Sequence, residues 1–203
     1  MSEYPVINSS FAASLLTCNP RLAQGFQGWL FYEAMLFHGS HAWWGEGRRR
    51  ERPHEGVDLS LYRDGRGRCR RLNHGTRIPV ILDGTVVKNV SDFLGQSLYV
   101  SHELGDGQGR RLYSFYGHME SLAGVGPGRR VQEGEVVGTI ADSQMSQKTI
   151  HPHLHLSIAW VPETFRSDRL DWETMSTEKE IVLLDPLKVL HLKYEVIPWE
   201  KRP

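Results

Sequence analysis

Only two of the 203 residues are cysteine, Cys18 and Cys69. Two are too few for a disulfide scaffold, and no CxxC spacing offers a thiolate metal site. They either pair in an oxidising compartment or stay apart as thiols. A surplus of either charge is also missing, since 24 Lys and Arg balance 24 Asp and Glu. Sequence-independent nucleic-acid binding relies on excess cations to displace counterions, so no nucleic-acid partner is expected. Long hydrophobic runs are absent too. The most apolar early stretch, Trp29 to Phe37, is short and interrupted by Glu33, so no transmembrane segment is expected. Met1-Ser2-Glu3-Tyr4-Pro5 has neither a basic region nor an apolar one, so no signal peptide is legible and a cytoplasmic location stays open. No repeat of solenoid length occurs.

What remains is the composition of an ordinary globular protein, 39% hydrophobic and 24% charged. The length suggests one domain with an appendage, a size that buries well over half of the unfolded surface without a covalent staple. Residues 1–48 read as an N-terminal extension. Asn19 is placed to cap a helix and Pro20 to open it, and Leu22, Phe26, Trp29, Leu30 and Phe37 fall near helical spacing. A helix is therefore expected near 21–37. The basic run Arg48 to Arg52 reads as a solvated loop, with contact to an anionic polymer as the alternative.

Residues 49–203 read as a second unit of short strands punctuated by glycine and aspartate. Ile78 to Leu82 and Thr85 to Val90 flank Asp83-Gly84 as a tight hairpin. Ser97 to His102 and Arg111 to Tyr116 flank the glycine-rich loop 104–109 as another. Val131 to Ala141, His153 to Val161 and Ile181 to Leu184 supply further strands, and 162–180 a surface loop or short helix. The expected fold is mostly β: an antiparallel β-sandwich or barrel-sandwich hybrid with an N-terminal helical extension. Monomer is the default state.

Ten histidines stand out, and five occupy telling positions. In His54-Glu55-Gly56-Val57-Asp58 a turn about Gly56 can bring an imidazole and a carboxylate to one metal ion. In His153-Leu154-His155-Leu156 a strand puts both histidines on one face and both leucines on the other. Such a strand suits a pocket floor, with His151 at its rim. His118 follows Tyr116-Gly117 at the end of a hairpin. A catalytic zinc usually has three protein ligands and one open position. One His and one Asp from the first element and one His from the second supply that set, with two histidines left to handle protons or polarise a carbonyl.

In this order His54-x-Gly-x-Asp58, Tyr116-x-His118 and His153-x-His155 resemble the lysostaphin/LytM-type metallopeptidases. Gly84-Thr85-Val86-Val87, Gly128 to Gly138 and Asp185-Pro186-Leu187 resemble further stretches of that family, across roughly residues 50–190. The resemblance implies a Zn2+ cofactor held by His54, Asp58 and His155, with His118 and His153 as the catalytic pair. It leaves open which of that pair is the general base. It implies a mostly antiparallel β fold with the site in a groove, a peptide bond in the stem or bridge of peptidoglycan as substrate, and a periplasmic, extracellular or cell-envelope location. Tyr116 either binds substrate or belongs to the hairpin core. The chain departs from the family at Leu156-Ser157, where an aromatic and an acid are common, and at 142–149, where a glycine-rich turn is usual. Two alternatives stand beside the peptidase. One is a non-catalytic module of the same fold that activates another wall hydrolase. The other is a carrier or phosphotransfer domain of barrel-sandwich type, which would have no use for His54, Asp58 and His118 together.

Overall fold

The computed structural model describes residues 7–142 and 150–199. Helix α1 (Phe11–Cys18) and the single turn α2 (Pro20–Ala23) come first, then strand β1 (Gly28–Phe31) and a 3-10 turn at Glu33–Met35. An irregular arm leads to β2 (Val57–Leu59), β3 (Leu61–Arg63), β4 (Cys69–Arg71), β5 (Arg77–Pro79), β6 (Gly84–Ser91), β7 (Gln96–Gly105) and β8 (Arg110–Ser121). After these come β9 (Arg130–Val131), β10 (Val136–Ile140), β11 (Leu154–Pro162), α3 (Trp172–Thr177), β12 (Val182–Leu184), α4 (Pro186–Val189) and β13 (Tyr194–Val196). As expected, the fold is mostly β with few helices.

Among the described residues there are two sheets. The smaller runs β13-β1-β3-β4, with only the β13–β1 pair parallel. The larger runs β12-β11-β8-β7-β6-β9, all antiparallel, with β10 on β8 and β5, and β2 on β11. Its central strands are covered on both faces, and alternation sorts their side chains. Leu98, Val100, Leu112, Tyr116, Leu154, Leu156, Ile158 and Trp160 enter the main core. Tyr99, Tyr113, Phe115, Ala159 and Val161 form a second cluster on the opposite face, closed by Leu170, Met175 and Ile181. The polar segment 162–180 is thus a cover for that face, with α3 as its helical piece.

Two expectations are corrected. No helix spans 21–37: α2 stops at Ala23, Gly25 takes a positive φ of 105°, and Gly28–Phe31 is a strand between β3 and β13. Trp29, Leu30 and Phe31 are all buried, a short apolar run in which periodicity does not separate helix from buried strand. Nor do β5 and β6 form a hairpin. The first pairs with β10 and the second with β7 and β9. Gly84 serves close approach instead of a turn, since a Cβ there would lie 2.5 Å from the Ser101 carbonyl oxygen. The β7–β8 hairpin is as expected, with Gly107 and Gly109 at positive φ and Asp106 accepting from the Gln108 and Arg110 amides.

Candidate metal centre

The larger sheet sets two side chains opposite each other. On antiparallel β2 and β11, Asp58 is the direct partner of His155, while Val57, Leu59, Leu154 and Leu156 turn to the core. A carboxylate and an imidazole therefore meet on one face, with Asp58 Oδ1 2.9 Å from His155 Nδ1. His54 precedes β2 across Gly56, where a Cβ would lie 2.3 Å from the Leu156 carbonyl oxygen. Only glycine lets the chain pass this close to β11. His54 Nε2 then stands 3.1 Å from His155 Nδ1 and 3.3 Å from Asp58 Oδ1.

The outer nitrogens of both rings have partners, and that of His54 fixes its tautomer. His54 Nδ1–H donates to the Leu36 carbonyl at 3.0 Å, and His155 Nε2 lies 2.9 Å from the Ser157 hydroxyl, which can accept a proton from it. With the His155 proton on Nε2, Nε2 of His54, Nδ1 of His155 and Oδ1 of Asp58 direct three lone pairs at one buried point. Three acceptors this close suit a shared cation. The donor–donor edge of a tetrahedral zinc with bonds of ~2.0–2.1 Å is about 3.3 Å, close to the observed separations. The donor set fits zinc, and these three residues can hold one ion. Burial alone would raise the Asp58 carboxyl, but the His54, His153 and His155 rings around it hold it well below the usual carboxylate range.

The other two histidines arrive by different routes. His153 lies one step before β11 on the face of His155, fully covered. Its Nδ1–H donates to the His151 carbonyl at 2.9 Å, and its Nε2 is 3.8 Å from Asp58 Oδ1. Burial pushes its pKa down to about 4. His118 gets to the same place through a bulge in β8. Between the pairs Gln96–Met119 and Leu98–Tyr116, β8 carries one residue more than β7, and His118 takes a positive φ of 62°. A bulge re-aims a side chain, and here it turns His118 out of the Leu112–Tyr116 row towards His153, with ring centroids 4.9 Å apart. The Asp92 carboxylate holds it there, accepting from the backbone amide at 2.9 Å and from Nδ1 at 3.2 Å. Burial works against the charge of Asp92, but these bonds to His118 outweigh it and keep the carboxyl low.

The site opens through a pocket of about 300 Å³ whose floor includes Asp58, His118, His153 and His155. Trp44, Phe93 and Trp172 supply aromatic walls, and Arg50 and Glu55 the remaining charges. Trp172 packs edge-on against His155 at 4.7 Å. Gly117 makes room for it, since a Cβ there would lie 3.0 Å from the indole.

All five histidine and aspartate positions singled out from the sequence are brought together; Tyr116 is not. Its ring is fully buried in the main core, and its hydroxyl accepts from the Ile81 amide at 2.9 Å and bonds the Ser114 hydroxyl at 3.0 Å. Its neighbour Gly117 starts the bulge that turns His118 to the pocket and leaves Tyr116 in the core row. Arg50 is no solvated loop residue. Its side chain is 19% exposed, stacks on Trp44 and has Nη2 3.6 Å from Asp58 Oδ2. The sequence reading missed Trp43, Trp44, Asp92, Phe93, Ser157 and Trp172. Asp92-x-x-Gly95 carries a legible turn signal, and the aromatic residues carry none. The departure at 142–149 lies, apart from Asp142, outside the described residues.

Comparison with known proteins places this geometry in context. Residues 52–167 match the family model described as Peptidase family M23. Among solved structures, the chain is similar to lysostaphin in solution at 18% identity, covering 70% of this chain and 45% of that one, with a TM-score of 0.43. It is also similar to a putative peptidase M23 from Pseudomonas aeruginosa at 18% identity, covering 88% and 63%, with a TM-score of 0.44. A third similarity is to the SpoIIQ–SpoIIIAH pore forming complex at 20% identity, covering 83% and 86%, with a TM-score of 0.44. The chain thus spans less than two thirds of the length of the first two. No curated protein matches it.

Proposed function

The chain belongs to peptidase family M23, and from that premise we propose that it is a zinc-dependent endopeptidase cutting peptide bonds in the stem or bridge peptides of bacterial peptidoglycan. The observation that carries this reading is the convergence of His54 Nε2, Asp58 Oδ1 and His155 Nδ1 on one point beside two further histidines that are not needed to hold the ion. A purely structural metal site would have no use for that pair or for an open pocket above it.

When bound by His54, Asp58 and His155, zinc supplies Lewis acidity that polarises a peptide carbonyl and makes water a stronger acid. The protein's own groups do the rest. His153 spends its Nδ1 proton on a backbone carbonyl, so its Nε2 lone pair faces the site and accepts a proton from the attacking water. His118 donates its Nδ1–H to the Asp92 carboxylate. That bond leaves Nε2 of His118 turned away from Asp92, as the atom that would pass a proton to the departing amine. Trp44, Phe93 and Trp172 would lie against the peptide as the apolar walls of the pocket.

No helix among the described residues is long and apolar enough to cross a membrane. The proposed substrate places the working enzyme in the cell envelope. The test is mass spectrometry of muropeptides from purified peptidoglycan incubated with the protein, with chelator and with zinc restored. Stem or bridge fragments that vanish with chelator and return with zinc support the reading. Bound zinc with no fragments from several wall types overturns it in favour of a non-catalytic module.

A further inference from the structure

The stretch before the family match contributes to the centre. Within it, the arm 36–50 crosses the site and donates or accepts at the outer atoms of two of the three metal-binding candidates. The Leu36 carbonyl takes the Nδ1 proton of His54, and the arm is pinned there by His38 N to His54 O at 2.8 Å and His54 N to Gly39 O at 3.0 Å. The Trp43 indole donates Nε1–H to Asp58 Oδ2 at 2.6 Å, with both groups buried, and its ring packs edge-on against His153 at 5.0 Å. Arg50 adds its charge to the same oxygen. The two oxygens of Asp58 are therefore divided: Oδ2 belongs to the arm, and Oδ1 to His54 and His155.

From this division we infer that Trp43 is a positioning residue of the metal centre, holding Asp58 so that it offers zinc the single oxygen Oδ1. The inference rests on the reading of Asp58 as a ligand. A carboxylate left to rotate would present either oxygen, or both, and would lose rotational freedom on binding. Fixing it in advance removes that cost, and removing outer partners of this kind typically weakens metal binding about 10–100-fold. The matched segment, residues 52–167, contains the three candidate ligands but not this donor. A protein cut to that segment would therefore keep the ligands and lose the group that aims one of them.

The test is zinc affinity, read by competition with a chromophoric chelator on the full chain, for the wild type, W43F and D58A. The W43F substitution keeps an aromatic ring against His153 and removes the N–H that Asp58 accepts. The expected result is zinc binding about 10–100-fold weaker in W43F, with the near-ultraviolet circular dichroism of the metal-free protein showing the same folded packing. Wild-type affinity in W43F together with loss of zinc in D58A overturns the positioning role and leaves the ligand reading intact. Wild-type affinity in D58A removes both. Should W43F fail to fold, the wild-type protein decides. The assigned Trp43 indole N–H resonance is expected to move on zinc addition, and an unmoved resonance overturns the inference.

Discussion

Asp58 and His155 face each other across neighbouring antiparallel strands, with Oδ1 and Nδ1 2.9 Å apart, although 97 residues separate them in the chain. The pairing follows from register. With Val57, Leu59, Leu154 and Leu156 committed to the core, alternation leaves Asp58 and His155 no face but the opposite one. A slip of β2 by one residue would turn Asp58 into the core and put Val57 and Leu59 on the face of His155, so the apolar positions enforce the pairing of carboxylate and imidazole.

The five polar residues divide into two classes with different signatures. Alanine at His54, Asp58 or His155 is expected to abolish bound zinc and peptidase activity together. Alanine at His118 or His153 is expected to leave zinc in place and cut turnover about 10²–10⁴-fold. Elemental analysis of the purified variants beside a muropeptide assay checks this, and full zinc loading in H155A would remove that residue from the ligand set.

Asp92 accepts from both the backbone and the ring of His118. D92N replaces an acceptor of Nδ1–H with a group that can also donate, and so permits the opposite ring tautomer. The expected result is a turnover loss of roughly 10²-fold or more with zinc content unchanged. Equal turnover in D92N and wild type would show that His118 needs no carboxylate behind it.

Gly56 is constrained by space, because a Cβ would lie 2.3 Å from a backbone oxygen and 2.4 Å from Ser157 Oγ. In G56A, β2 must move away from β11, separating Asp58 from His155. A stability loss of about 3 kcal/mol, at the upper end of overpacking, is expected in urea denaturation, along with loss of zinc. A variant as stable as wild type would mean the strands part more easily than this contact implies.

His102 gives the metal-free protein a pH-dependent stability. It is buried, with Nδ1–H on the Asp83 carbonyl and Nε2 against the Ser114 hydroxyl, and burial pushes its pKa down to about 4. An unfolded histidine titrates near ~6.5. Between these values the unfolded chain binds a proton that the native protein refuses. Stability is therefore complete above about pH 6.5 and falls as pH drops towards 4, by about 3 kcal/mol from this residue. His153 adds a change of the same sign. Urea midpoints across this range are expected to fall less steeply in H102Q, and an identical slope would assign the effect to other groups.

Much of the centre was legible because it is written in strand alternation and short-range turns. His153-x-His155 shares a face for the reason any i, i+2 pair does, and the turn read about Gly56 accounts for His54 and Asp58 meeting, although only the structure shows how closely β11 approaches it. The hairpin about 104–109 followed from its glycines and Asp106. The helix expected near 21–37 failed because a buried apolar run suits either element, and the choice fell to pairing with Leu61–Arg63 and Tyr194–Val196, far along the chain. The supposed hairpin about Asp83-Gly84 failed for the same reason: each strand found a better partner elsewhere.

By itself, the sequence showed the fold class and, through strand alternation together with the family resemblance, the five polar residues that the fold brings together. The tertiary structure alone decided which oxygen of Asp58 the Trp43 indole bonds, that His118 swings to the site while Tyr116 stays in the core, and that Asp92 and Ser157 contact His118 and His155. Those outcomes depend on strand register, a bulge and hydrogen bonds between distant segments. No local pattern encodes them, because each exists only once the whole chain has packed.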